Sequence, residues 1–173
     1  AAHPPEHYAA FRRQHGLAPP PEVPAQSLAV RVVLDCEAVS TRGLRRTLDS
    51  LTGQLWPHWR AVLLVASEDR RAMAAQAAAR DPRFLPVEAG AGEDPGVAER
   101  EAALAGEETL VLLATPGAAF PPASLLWLAH AAERLPGAAA FCCDEDSLVE
   151  PVRHVDRHEA PVFRACFDDW TLP

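Results

Sequence analysis

SLAVRVVLDCEAVSTRGLRRTLDSLTGQLWPHWRAVLLVA, residues 27–66, holds two apolar runs around a segment of a different period. The first run, SLAVRVVLD, is rich in Val and ends on Asp35, and predicts a strand over 29–34. TRGLRRTLDSLTGQL then places Leu44, Leu48, Leu51 and Leu55 on one stripe, which predicts a helix over 41–54. Arg42, Arg45, Arg46 and Asp49 fall mostly off that stripe, where they serve as a solvated face or meet an anionic partner. Pro57 closes the connection, and the unbroken run WRAVLLVA predicts a buried strand over 60–65.

The alternation continues in both directions. SEDRRAMAAQAAAR predicts a helix with acids in its first turn and Arg80 in its last, matching the helix dipole. RFLPVEA is a poorer strand over 83–87, and a short helix is expected around Val97–Ala105. EETLVLLA predicts a strand over 108–113, apolar enough for burial on both faces. Pro121-Pro122 opens a helix over 121–135, with Leu125, Leu128, Ala132 and Leu135 on one face, and GAAAFCC predicts a fifth strand over 137–142. Upstream, Pro5 to His15 read as a short helix with Tyr8 and Phe11 on one face, and GLAPPPEVPAQ as a proline-rich connector. The division expected is an arm and connector over 1–26 and one domain over 27–173. Strands and helices alternating through short turns predict a mostly parallel sheet with helices on both faces.

Composition narrows the function. The chain has 173 residues, 16 basic against 24 acidic, and a net charge of −8. That balance argues against a sequence-independent grip on nucleic acid, which rests on a basic surface. No stretch reaches the roughly 20 apolar residues of a transmembrane segment, and the first residues lack the basic-then-apolar order of a secretory signal. Every basic residue is Arg, and Lys, Asn and Ile do not occur, as expected of a GC-rich bacterial source. Cys36, Cys142, Cys143 and Cys166 form no zinc spacing and are expected as buried thiols in a reducing cytoplasm.

In parallel sheets ligands bind beyond the C-terminal strand ends, near the point where strand order reverses. The turns there read Asp35-Cys36-Glu37-Ala38, Ala66-Ser67-Glu68-Asp69, Ala114-Thr115-Pro116-Gly117 and Asp144-Glu145-Asp146. None is a Gly-rich phosphate loop, and no Ser sits in a nucleophile elbow.

Four segments in order resemble family 2 glycosyltransferases. SLTGQLWPHWRAVLLV is similar to that family's S-L-x-x-Q-x-aromatic-P-x-W segment; FCCDEDSL resembles its Y-S-D-E-D segment; PVFRACFDDW resembles the P-x-F-K-P-D-W-S segment that follows. The helix with Tyr8 and Phe11 is similar to the one preceding such domains. The resemblance implies a GT-A (Rossmann-like) fold that binds a nucleotide-diphosphate sugar. It further implies a carboxylate for the base after the second strand, and an Asp-x-Asp after the fourth for a divalent metal, Mn or Mg. Here the first of these falls on Ala66, beside Ser67, and the second on Ala114-Thr115-Pro116-Gly117. Codon bias does not account for a lost Asp. The expectation is a degenerate glycosyltransferase-like domain with weak or no catalysis, no assignable catalytic residue, and no cofactor unless active. The alternative is a non-catalytic module that packs on a partner protein or further domain.

The candidate substrate-binding residues are Asp35, Glu37, Ser67, Asp144 and Asp146. Asp35 and Glu37 fall at the ligand edge, and alternation would send both to one face; a solvated turn is the competing reading. Asp144, Glu145 and Asp146 either line the donor site or form a solvated turn, with Asp144 and Asp146 as weak metal candidates. His154 and His158 are four apart, yet the prolines and valines around them disfavour a helix and a metal site. Trp56 and Trp59 suit core anchoring better than stacking on a sugar.

Overall fold

A computed structural model describes residues 18–25, 28–89, 110–143, 145–149 and 157–162. The strand, helix and strand of the central stretch are β1 (Val30–Asp35), α1 (Thr41–Thr52) and β2 (Trp59–Val65). They are followed by α2 (Glu68–Arg80), β3 (Phe84–Glu88), β4 (Leu110–Leu113) and α3 (Ser124–Arg134). β1 to β4 form one sheet in the order β3-β2-β1-β4, every pair parallel, with Val30 opposite both Trp59 and Leu110. The expected α/β class with a parallel sheet therefore holds, but the described helices α1, α2 and α3 all join the core on one face of the sheet and not on both. The expected helices over 5–15 and 97–105 lie outside the described residues.

Burial explains why these runs became strands. Val30, Val32 and Leu34 of β1 and Ala61, Leu63 and Val65 of β2 share a core with Leu44, Leu48 and Leu51 of α1. Ala74 of α2 and Leu125, Leu126 and Ala129 of α3 complete it. On the other face Val33, Val62 and Leu64 are also buried, with Ala89 packed against them. Each such side chain contributes about 1.5–3 kcal/mol, which is why the two central runs carry no alternation. β4 differs. Val111 is 46% and Leu113 62% exposed, so this edge strand is not buried on both faces as its apolar run suggests. An edge strand has a neighbour on one side only.

Helix ends account for three further departures. Ser40 caps α1 by accepting from the Gly43 amide at 3.1 Å, and the helix stops at Thr52 as Gly53 donates to the Asp49 carbonyl. Leu55 leaves the helical spacing and is 55% exposed; its amide donates to the Pro122 carbonyl instead. α3 likewise ends at Arg134, so Leu135 is exposed, and its buried residues are Leu125, Leu126 and Ala129.

The expected strand over 137–142 is not formed; residues 137–143 are irregular. GAAAFC has no β-branched residue, and both Gly and, to a lesser degree, Ala are depleted in strands. The next strand is β5 (Glu145–Val149), paired antiparallel with β6 (Arg157–Val162) in a separate two-stranded sheet. His158 lies on β6, and His154 outside the described residues. The chain divides into two compact units: Pro19–Pro136, with the parallel sheet, and a second holding Gly137–Pro173 with β5 and β6. Within the first, the proline-rich connector packs along α3. Pro20 and Pro24 are buried, the Ala25 amide donates to Glu133 Oε1 at 2.8 Å, and Arg134 pairs with Glu22 at 3.3 Å.

Candidate functional site

The order β3-β2-β1-β4 reverses between β1 and β4, so the loops beyond those strands mark the place for a ligand. β1 and β2 are neighbours and parallel, so their C-terminal ends lie side by side and their following loops meet. Asp35 ends β1. Its Oδ1 accepts from the Glu37 amide at 2.9 Å, turning the chain sharply. Alternation therefore stops at Asp35, and Glu37 leaves the face it was expected to share with it.

Glu37 reaches the start of α2. Its Oε1 accepts from the amides of Ala66 and Ser67 at 2.9 and 3.0 Å, and from the Ser67 hydroxyl at 3.2 Å. Ser67 stands at the helix N-cap, yet its side chain makes no cap bond. The carboxylate of Glu37 does that work from another loop, against the positive end of the helix dipole. Burial works against its ionisation. The Ser67 and Ala66 amides, the Ser67 hydroxyl and the nearby Arg70 outweigh it, and the carboxyl is held below its ordinary range. Arg70, in the first turn of α2, donates to the Val39 carbonyl and to Thr41 Oγ1, tying the same loop down from the other side.

The contact has a pH signature. A lowered folded value means that Glu37 stabilises the fold above its ordinary titration range, and that this stabilisation fades as pH falls through the folded value. Denaturation of the natural chain and Glu37→Gln across pH 7 to 3 is expected to show a stability gap that closes on acidification. Asp81, held low chiefly by its hydrogen bonds from the Arg83 side chain, titrates the same way in both proteins and cancels in the difference.

Between these residues lies Cys36, fully buried, its thiol directed at the Leu34 carbonyl. Burial first, then Asp35 and Glu37, push its pKa up to about 12 against the pull of Arg70. It is no nucleophile at neutral pH.

The loop after β4 is closed from within. Thr47, buried on α1, donates to the Ala118 carbonyl at 2.8 Å and accepts from the Gly117 amide at 3.0 Å. The Ala114 amide is committed to the Val33 carbonyl, and Ala118 to Thr115. Gly117 has φ +91°, and a Cβ on it would stand 3.1 Å from Val39 Cγ2. A Cβ on Gly43 would come within 2.5 Å of the same methyl. Val39, Gly43, Thr47 and Gly117 thus pack the two loops of the switch point against one another. Gln54 joins from the end of α1, donating to the Pro121 and Phe120 carbonyls and accepting from the Leu125 amide.

Of the sequence candidates, Asp35, Glu37 and Ser67 come together. Asp146 lies on β5 in the second unit, and Asp144 outside the described residues. Trp56 and Trp59 are core residues. Thr47 was missed because it reads as a polar interruption of a leucine stripe. Glu37's reach across to α2 was also missed, since it follows from strand order. A divalent metal does not fit the loop after β4: Ala114, Thr115, Pro116 and Gly117 offer one hydroxyl and backbone groups but no carboxylate. Among the described residues no group of three or more His, Cys, Asp or Glu side chains is placed to hold a metal ion, and no helix is long and apolar enough to cross a membrane.

No protein-family model and no curated protein matches the sequence. Among solved structures the chain is similar to the mannosyltransferase PcManGT from Pyrobaculum calidifontis, determined in complex with GDP-mannose and Mn2+. The TM-score is 0.51 at 18% identity, over 75% of this chain and 39% of that one, so this chain spans about two-fifths of that enzyme's length. The likeness is one of fold: a parallel sheet with helices arranged as in part of that enzyme.

Proposed function

We propose that this chain is a family 2 glycosyltransferase-like domain, related to enzymes that move a sugar from a nucleotide-diphosphate donor to a glycan or other acceptor, with weak or no catalysis of its own. The observation that carries this reading is the Glu37 contact. Two backbone amides and a hydroxyl at the start of α2 are already satisfied by a side chain of the same protein, beside the position where the family resemblance places a base-binding acid and this chain has Ala66. The amides of Ala114, Gly117 and Ala118 after β4 are similarly committed, and the carboxylates that would hold a metal on the diphosphate are missing. Losing a charged contact of this kind costs a few kcal/mol, and here two are gone.

The module that remains would serve by packing against a partner protein or neighbouring domain. The exposed Val111 and Leu113 of β4 favour that second reading, since apolar side chains in water are costly. Asp35, Glu37 and Ser67 then act as structural residues of the sheet edge, and Asp144 and Asp146 stay the candidates for any donor or metal contact.

Calorimetric titration with a panel of uridine and guanosine diphosphate sugars, with and without Mn2+, tests the reading. The expected result is no affinity tighter than about millimolar and no turnover. Micromolar, metal-dependent binding would overturn it, and loss of that binding in Asp144→Ala or Asp146→Ala would locate the site.

A further inference from the structure

Cys142 and Cys143 were expected to be buried, and both are exposed and free of disulfide. They lie in the irregular segment between α3 and β5, so no strand pairing holds their backbone. Cys36, by contrast, is buried with a thiol that resists ionisation. The chain therefore presents two adjacent thiols to solvent, outside any helix or strand.

We propose that Cys142 and Cys143 form a vicinal dithiol site for a thiophilic trivalent centre of the monosubstituted arsenical class. The first argument is length. Adjacent α-carbons stand about 3.8 Å apart, short of the roughly 4.4–6.8 Å that a disulfide spans without strain. One atom bridging the two sulfurs enlarges the ring and removes that conflict. The second is donor number and softness. Zinc takes four ligands in a closed site, whereas a trivalent arsenic already carrying one carbon needs only two sulfurs. The acids that follow, Glu145 and Asp146, are hard oxygen donors suited to other ions. With phenylarsine oxide the step balances without an oxidant. Two S–H bonds break, two As–S bonds form, and oxygen leaves the arsenic as water with both thiol protons.

The test is intact-mass spectrometry of the full chain in a Cys166→Ser background, reduced, freed of reductant and titrated with phenylarsine oxide. One adduct per chain is expected, resisting excess monothiol and removed by a dithiol such as 2,3-dimercaptopropanol. Cys142→Ser and Cys143→Ser should each weaken it about 100-fold by removing the second, intramolecular bond. Cys36→Ala should leave it unchanged, and circular dichroism should show all three variants folded. A stable adduct in either serine variant, its loss in a folded Cys36→Ala, or no adduct on the native chain would overturn the proposal.

Discussion

Gln54→Leu is expected to remove about 3–5 kcal/mol of folding stability, read as a lower urea midpoint at unchanged slope. The side chain is buried, and its two ends do different things. Nε2 donates to the carbonyls of Ser50, Phe120 and Pro121 at 3.0, 3.3 and 2.8 Å, while Oε1 accepts from the Leu125 amide at 2.9 Å. Those groups belong to the end of α1 and the approach to α3, so one side chain joins two helices that touch the same sheet face. Leucine fills the volume and leaves the Leu125 amide and the Phe120 carbonyl without the Gln54 side chain, while the Pro121 carbonyl keeps only the Ser124 amide. Gln54→Glu separates hydrogen bonding from shape. A carboxylate still accepts from Leu125 but turns negative oxygen toward the carbonyls, which raises its pKa. Its deficit should therefore be greatest at neutral pH and shrink as pH falls and the acid becomes a donor.

Trp56→Ala is expected to cost about 3–5 kcal/mol. The indole is buried, meets His58 edge-on at 5.1 Å between ring centroids, and donates to the Leu28 carbonyl at 2.9 Å. Leu28 precedes β1, so Trp56 fastens the entry to the first strand to the connection that leads into the second. Trp56→Phe keeps most of the apolar body and loses only the hydrogen bond, and should cost about 1–2 kcal/mol. Equal losses in both variants, by thermal or urea unfolding, would show that the hydrogen bond and not the burial dominates.

Both residues stand in the segment SLTGQLWP, and their visibility from sequence is instructive. Long, strictly patterned elements were legible because their period is written locally. The leucines of α1, the Val-rich run of β1 and the unbroken run of β2 state their own burial, and the parallel arrangement follows from their alternation. What escaped depends on neighbours in space. Leu55 continues the leucine spacing on paper, yet the helix has already ended at Thr52. Residues 137–142 are apolar by composition but too poor in strand-forming side chains to pair. Glu37 was recognised as an edge residue, while its partner amides at Ala66 and Ser67 are 29 and 30 residues away along the chain. Only the adjacency of β1 and β2 brings them together.

The backbone at Gly117 bears on what the loop after β4 could be made to carry. Its φ of +91° is one that L-residues rarely adopt, and a first side-chain carbon there would press on Val39 Cγ2 at 3.1 Å. An acid at position 117 would thus ask the loop to change its path as well as its side chain. Thr47, bonded to both Gly117 and Ala118, holds that path in place. Path and side chain are therefore coupled here: a carboxylate-bearing loop after β4 would need concerted changes at Gly117, Val39 and Thr47, because a substitution at 117 alone is strained.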